Sequence, residues 1–243
     1  NLILIFIIII VLGLFIYFIK TRYYNDNLYL NKMRTKNLIT DIVDAKVKYN
    51  FNKTIIPHSV HGNEYNINFW IFINDYMYNN NKNKIILQRG DSTNFNPTIM
   101  LSKEYNNLHI LVKYKPYTSQ PTGINYVTKE IIFKNIKLQK WVNVNLSVAD
   151  NYIDLYIDSK LINSYVVDGI IYSLNENIIV TPDDGFNGYL SKLTYSNKAL
   201  SQRQINNIYS HGPRAETLNP FYNTFLDNAY LAIKNFKKLI LLE

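Results

Sequence analysis

Residues Lys140–Val167, KWVNVNLSVADNYIDLYIDSKLINSYVV, contain three successive strand patterns that decide the fold. In Val142–Val148 apolar residues alternate with Asn and Ser, and in Ile153–Ile157 they alternate with Asp and Tyr. This period of two is typical of a strand that buries one face. Asp150-Asn151 and Ser159-Lys160 interrupt the pattern as turn residues do. We therefore predict three adjacent antiparallel strands whose apolar face is covered by a second layer from elsewhere in the chain.

Further strand patterns lie on both sides of this meander. Val43–Phe51 alternates throughout and is predicted as a single first strand, and Tyr65–Ile73 is predicted as a long core strand. Shorter strands are predicted at Ile85–Arg89, Thr98–Ser102, Leu108–Tyr114, Tyr126–Phe133, Ile178–Thr181 and Gly188–Tyr195. Roughly ten to twelve short strands with turn residues between them predict a mainly β, antiparallel two-sheet sandwich.

Several of these segments together resemble laminin-G-like and concanavalin-A-like sandwich domains. The resemblance is carried by Trp141 at the start of a strand, the hairpin Leu155–Asp158, and Phe69-Trp70 in the long strand. It continues in the closing segment Gly185–Leu193 and in Ala199–Ser201, which leads into a short helix. The resemblance covers Asp41 to Pro213 and implies a jelly-roll sandwich. It implies little about function, because such sandwiches include lectins, adhesion modules, glycosidases and structural proteins.

The sequence departs from this family at one hairpin turn. The family often has Asp-Gly where this chain has Asp158-Ser159, so a residue that easily adopts a positive φ is missing there. The turn type is therefore left open by the sequence. Trp141, by contrast, is predicted as a large buried aromatic whose loss costs about 3–5 kcal/mol.

Four segments are predicted along the chain: residues 1–19, 20–40, 41–213 and 214–243. Leu2–Ile19 has eighteen uncharged, mostly apolar residues, and a helix of that length spans roughly 27 Å, close to the hydrocarbon thickness of a bilayer. We predict a single transmembrane helix there, and a secretory signal peptide is the alternative. Residues 20–40 are predicted as a basic juxtamembrane stalk and 41–213 as the sandwich.

Helices are predicted after the last strand. Leu200–Gly212 has Ser201 and Gln204 at capping-box spacing, and Gly212-Pro213 ends it. Residues 214–243 are predicted as an amphipathic C-terminal helix over Pro220–Leu242. Its apolar stripe, the predicted partner-binding surface, consists of Phe225, Ile233, Phe236 and Ile240. The sandwich itself, another protein and a membrane surface are the three possible partners of this stripe.

The charge distribution favours a membrane surface over nucleic acid. The net charge is +8, and eight basic but only three acidic residues lie between Lys20 and Val60. A nucleic-acid-binding domain more often carries its positive charge as a patch on the folded part. The positive-inside rule places the sandwich on the cytoplasmic side, or facing the capsid in a virus, and the absence of cysteine agrees with a reducing location.

The sequence does not predict an enzyme. Glycosidases of this fold place carboxylates at alternate positions of one strand, whereas Asp154 and Asp158 have Tyr156 between them and lie about 13 Å apart along a strand. His58 and His61 lack further ligands for a metal and are predicted as loop histidines. No nucleophile-elbow motif is present, so an unrecognised hydrolase is a third, weaker hypothesis.

Calcium is the one metal ion that the sequence suggests. Sandwiches of the resembled family often bind Ca²⁺ at their rim, and Asp91, Asp183 and Asp184 are loop carboxylates suited to a hard cation. The alternative is that Pro182–Gly185 is simply a turn. Tyr76, Tyr78 and Tyr117 are candidate exposed aromatics for stacking on sugar rings, although exposed tyrosines are expected anyway in a chain with 21 of them. No other cofactor is expected.

The leading functional hypothesis is a membrane-anchored, non-enzymatic structural protein that presents its sandwich to protein partners. The chain is rich in Asn, Ile, Lys and Tyr, which resembles proteins of AT-rich genomes. Membrane-anchored sandwiches also occur as minor capsid proteins in virions of large DNA viruses, and this resemblance suggests such a link between membrane and shell. The alternative from another class is a cell-surface lectin or adhesion module that binds carbohydrate.

Overall fold

Two antiparallel sheets of seven strands each make up most of the described chain. A computed structural model describes residues 34–59, 63–118 and 126–214, together with Leu14 and Tyr17. Its strands are β1 (Thr35–Ile39), β2 (Val43–Asp44), β3 (Tyr49–Phe51), β4 (Tyr65–Asp75), β5 (Lys84–Gly90), β6 (Phe95–Leu101), β7 (Leu108–Pro116), β8 (Val127–Phe133), β9 (Trp141–Ala149), β10 (Tyr152–Ile157), β11 (Lys160–Val166), β12 (Gly169–Ile171), β13 (Ile178–Val180) and β14 (Asn187–Ser196). A 3₁₀ turn covers Lys53–Ile55, and helix α1 covers Gln202–Ser210.

The two sheets face each other across one apolar core. Sheet 1 has the order β1-β14-β4-β9-β10-β11, with β2 beside β14, and sheet 2 has the order β12-β7-β6-β5-β13-β3, with β8 beside β7. Apolar residues at alternate positions of the central strands are buried between them, including Ile67, Phe69 and Ile71 of β4, Val144 and Leu146 of β9, and Leu87, Ile99 and Ile110 of sheet 2. The predicted mainly β, two-sheet sandwich is confirmed.

The predicted meander is present as β9, β10 and β11, which pair in sequence order. The turn between β10 and β11 has no glycine, and two other residues adopt positive φ there: Asp158 at 49° and Ser159 at 60°. The Asp158 carboxylate accepts hydrogen bonds from the Asn143 backbone N–H (3.0 Å) and from Lys137 Nζ (3.1 Å). Two central residues at positive φ match the twist of the flanking strands, so the turn is of type I′. The Asp158 contacts offset part of its conformational cost.

Ser159→Gly is expected to stabilise the protein by about 0.5–1 kcal/mol. Glycine adopts a φ of 60° without the steric penalty that the serine Cβ brings, and the Ser159 side chain is not needed for the Asp158 contacts. Chemical denaturation of the full chain measures the change. Ser164→Gly, at an exposed position within β11, is the matched control and is expected to destabilise by about the same amount. Equal effects of the two substitutions would contradict this view of the turn.

The beginning of the sandwich differs from the prediction in two ways. Thr35–Ile39, predicted as part of the stalk, forms β1 and pairs with β14, so the sheet begins before Asp41. Val43–Phe51, predicted as one strand, divides into β2 in sheet 1 and β3 in sheet 2. The division occurs because the Asp44 carboxylate accepts the Lys46 N–H (2.9 Å) and turns the chain from one sheet to the other.

The predicted core position of Trp141 is wrong. Trp141 is only partly buried and lies on the outer face of sheet 1, where its ring meets Phe72 edge-on at 5.5 Å. Trp70 is the buried tryptophan, and it stacks on Tyr209 of α1 at 5.3 Å. Both tryptophans therefore belong to the outer face of sheet 1.

Helix α1 packs on that outer face. Its N-terminus has the predicted capping box of Ser201 and Gln204. The Ser201 N–H donates to Gln204 Oε1 (2.9 Å), which completes the capping box. Leu200 and Ile205 are buried together with Tyr156 of β10. Helix α1 therefore shields part of the outer face of sheet 1 from water, while Trp141 on the same face stays partly exposed.

Candidate functional site

A polar cavity opens at one end of the sandwich, where β4 begins and β14 and β5 end. Its volume is about 90 Å³. The lining residues come from five parts of the chain and are mostly polar or aromatic: His58, Ser59, Asn63, Glu64, Tyr65, Arg89, Asn96, Tyr172, Ser173, Leu174, Asn175 and Tyr195. We call this feature the rim cavity. A recess of this size accommodates one functional group or the edge of a sugar ring.

Arg89, at the end of β5, supplies the positive charge of the rim cavity. It is 6% exposed, and its Nε donates to the Glu176 carbonyl (3.3 Å) while Nη1 donates to the Tyr195 hydroxyl (2.6 Å). The Glu176 carboxylate is turned away and lies 3.8 Å from Lys53 Nζ. Within the described residues Arg89 forms no ion pair. A buried guanidinium thus faces the cavity without a compensating carboxylate.

Two stacked tyrosines form the wall beside Arg89. The rings of Tyr65 and Tyr195 lie 6.0 Å apart and nearly parallel. Burial raises the pKa of Tyr65 well above its usual value, and burial also raises the pKa of Tyr195, although Arg89 lowers it in part. Both phenols are therefore neutral near pH 7. The Tyr65 hydroxyl is buried and has no hydrogen-bond partner among the described residues.

Asn96 holds the far wall of the rim cavity in place. Its Oδ1 accepts the Lys113 N–H of β7 (3.1 Å), and its Nδ2 donates to the Tyr172 carbonyl. These bonds fix the segment that follows β12 against the start of β6. The wall is therefore built from backbone held by a buried side chain, which keeps the cavity open.

A partly exposed aromatic pair borders the rim cavity. Tyr172 lines it, and Tyr126 packs on the Tyr172 ring with centroids 4.1 Å apart. Tyr126 is 38% exposed. The cavity mouth thus combines an apolar ring surface with polar groups inside.

A wider groove lies on the outer face of sheet 1, between β1, β14 and α1. Its volume is about 480 Å³, and it is lined by Thr35, Asn37, Ile39, Thr40, Asn68, Lys192, Thr194, Ser196, Leu200, Ile208 and His211. Several of its polar groups bond to one another or to nearby backbone: Thr35 Oγ1 lies 2.8 Å from Ser196 Oγ, and Lys192 Nζ donates to the His211 carbonyl (3.1 Å). The orphaned hydroxyl and the uncompensated charge belong to the rim cavity, which we therefore take as the candidate site.

The predicted calcium ligands are not brought together. Asp183 and Asp184 are neighbours in a turn with positive φ angles of 54° and 61°, close to Lys82, whose Nζ donates to the Asp183 carbonyl (2.8 Å). Lys82 lies just before the start of β5, whereas Asp91 lies just after its end. The Asp91 carboxylate accepts hydrogen bonds from the N–H groups of Thr93 (2.8 Å) and Asn94 (2.7 Å). The Thr93 hydroxyl also donates to this carboxylate (2.8 Å). These hydrogen bonds lower the pKa of Asp91, and the bond from the Asn94 N–H contributes most.

Metal binding gains no support from the described ranges. Within 34–59, 63–118 and 126–214 no group of three or more His, Asp and Glu side chains is arranged to hold a metal ion. His58 lies at the rim cavity, as a loop residue, while His61 lies outside the described residues. Calcium binding by Asp183 and Asp184 stays a prediction.

Two predicted binding surfaces fall outside the described residues. One is the transmembrane segment Leu2–Ile19, apart from Leu14 and Tyr17, and the other is the C-terminal stripe Phe225, Ile233, Phe236 and Ile240. In the part of the chain that the structure describes, no helix has the length and apolar character needed to cross a bilayer.

Sequence reasoning missed the rim cavity. Tyr65, Arg89 and Tyr195 were each assigned to strands, and none was singled out for function. The available signal was Arg89 itself, a charged residue at the end of the predicted strand Ile85–Arg89, which begins with three apolar residues. Its two hydrogen-bond partners, the Glu176 carbonyl and the Tyr195 hydroxyl, are distant in sequence, so only the fold shows that they meet.

Comparisons with known proteins identify the fold and no more. No protein-family model and no curated protein matches the chain. Among solved structures, the binding domain of botulinum neurotoxin serotype D is similar, with 17% identity and a TM-score of 0.55 over 74% of this chain. The receptor-binding domain of the C/D mosaic serotype is similar as well, with 16% identity and a TM-score of 0.54. This chain spans 46% of the length of each of those two chains, somewhat under half.

Proposed function

We propose that this sandwich is a non-enzymatic module that binds carbohydrate at the rim cavity. The observation that carries the proposal is the polar cavity bordered by the partly exposed Tyr126–Tyr172 pair. Sugars combine hydroxyl groups with apolar C–H faces. Binding one therefore requires an aromatic surface next to polar groups fixed in direction. The rim cavity provides both.

The composition of the cavity fits binding better than hydrolysis. Among the described residues that line it, Glu64 is the sole carboxylate. Glycoside hydrolysis generally uses two carboxyl groups on either side of the scissile bond. We therefore infer that a bound sugar is recognised and released unchanged.

The similar solved structures support a binding role for the sandwich by analogy. The similar structures are binding or receptor-binding domains of botulinum neurotoxins, and at 12–18% identity the likeness concerns the fold. We propose by analogy that this chain also presents its sandwich to a receptor, here a glycan. The other hypothesis, a membrane-anchored minor capsid protein facing the cytoplasm or a viral shell, rests on Leu2–Ile19 and on composition. It stays a prediction.

Glycan-array binding of the full chain tests the proposal. We expect a defined set of glycans to bind the full chain, and Tyr126→Ala to weaken that binding by about tenfold, because it removes the stacking surface. Tyr105→Ala is the matched control, since Tyr105 is 65% exposed in the turn between β6 and β7, away from the cavity. Absence of glycan binding, or equal losses in the two variants, would refute the proposal.

A further inference from the structure

Arg89 indicates which kind of sugar the rim cavity selects. From its geometry we infer that the cavity binds a carboxylate, as carried by an acidic sugar, through the free N–H groups of Arg89 and the hydroxyl of Tyr65. The inference rests on the proposed function and makes its ligand specific. It follows from three features of the cavity: an uncompensated charge, an unused donor and a single acidic neighbour.

The uncompensated charge is the first feature. A guanidinium carries five N–H donors, and the described residues accept from Nε and once from Nη1. Moving such a group out of water costs several kcal/mol, which a paired anion normally offsets. Here the nearest groups are the neutral Tyr195 phenol and a backbone carbonyl. The remaining N–H groups form a planar fork that matches the two oxygens of a carboxylate.

The unused donor is the second feature. Tyr65 is 6% exposed, and its hydroxyl lies buried at the cavity without a partner among the described residues. A buried hydroxyl without a hydrogen bond is unfavourable, so its retention needs a reason. Because the phenol is neutral, it has a proton that it can donate to an acceptor on a bound ligand. A carboxylate oxygen held by Arg89 would provide that acceptor.

The acidic neighbour is the third feature, and it limits the charge of the ligand. Glu64 lines the same cavity and makes no ion pair with Arg89. The cavity lining carries one guanidinium and, unpaired with it, one carboxylate residue, so it favours a ligand with a single negative charge over a phosphate dianion. The small volume of about 90 Å³ likewise suits a planar carboxylate.

Titration of the full chain with three probes tests the inference. D-glucuronate, D-glucose and glucose 6-sulfate share a ring and differ in the charged group. We expect glucuronate to bind roughly tenfold or more tighter than glucose. Arg89→Gln should reduce glucuronate binding to the level of glucose, whereas Arg203→Gln, an exposed arginine of α1, should change nothing.

Tyr65→Phe keeps the test valid even where Arg89→Gln fails to fold. We expect this variant to bind glucuronate several-fold more weakly while its melting temperature stays the same or rises, because the lost hydroxyl had no partner. Equal affinities for glucuronate and glucose would overturn the carboxylate inference and leave the proposed function standing. Tighter binding of glucose 6-sulfate would also overturn it, in favour of sulfated sugars. Binding of none of the three would count against the proposed function itself.

Discussion

Replacing Phe69 with alanine is expected to lower the free energy of unfolding of the full chain by about 3–5 kcal/mol. Phe69 is wholly buried on the inner face of β4. β4 is held between β14 and β9, so the backbone is not free to collapse into the space that the ring leaves. Denaturation by urea, followed by circular dichroism, measures the loss. It would be a sizeable share of the stability of a typical domain.

Trp141→Ala is the control for this prediction. The sequence predicted the larger effect at Trp141, but the structure places that side chain on the outer face against Phe72, partly exposed. We expect a loss of about 1–2 kcal/mol, since only part of the ring is removed from water. A loss at Trp141 as large as that at Phe69 would contradict its placement outside the core.

Gly188→Ala is the second substitution with a large expected effect. A Cβ at this position would lie 2.0 Å from the Phe72 carbonyl oxygen and 2.8 Å from Cε2 of Phe186. The first contact is with backbone of β4, which pairs with β14 there, so the strands must move apart. We expect a loss of about 3 kcal/mol or more in the same urea experiment.

Gly212→Ala separates this clash from conformational strain. Gly212 has φ +63°, and a Cβ there would meet nothing within 4 Å. Only the positive φ penalises alanine, and we expect a loss of about 1 kcal/mol. If Gly188→Ala costs no more than Gly212→Ala, the close approach of β14 to β4 is not as described.

The long central strands of the sandwich were predictable because buried apolar residues recur at every second position in them. Tyr65–Ile73 and the meander Lys140–Val167 matched within a residue or two of the observed strands β4 and β9–β11. Alternation does not identify the layer that covers the second face. Asn143 and Asn145, at polar positions of β9, are wholly buried and bond to asparagines of β4, with Asn143 Nδ2 3.0 Å from Asn68 Oδ1. No local pattern shows that α1 and its flanks cover that face.

The candidate site was less predictable than the fold for a related reason. Tyr65, Arg89 and Tyr195 belong to three different strands, and more than a hundred residues lie between the first and the last of them. Tyr65 and Tyr195 satisfy the local strand pattern, so nothing in their own neighbourhood marks them, and the charge of Arg89 alone does not show what it meets. The predicted calcium ligands show the opposite error, a site predicted from residues that do not meet. Asp183 and Asp184 lie near Lys82, before the start of β5, whereas Asp91 follows its end. Suitable chemistry identifies a site only once the strand order is known.

The pairing of β1 with β14 determines how the sandwich responds to tension along the chain. Thr35 lies opposite Ser196, and Arg34 and Asn197 exchange hydrogen bonds at that same end of the ladder, so the start of β1 and the end of β14 lie side by side. A force that separates these two points loads the hydrogen bonds one after another, as in opening a zipper, and not all together in shear. β1 is an edge strand, whereas β14 is also paired with β4. Under such a force β1 would detach first, and the remaining strands of sheet 1 would keep their pairing.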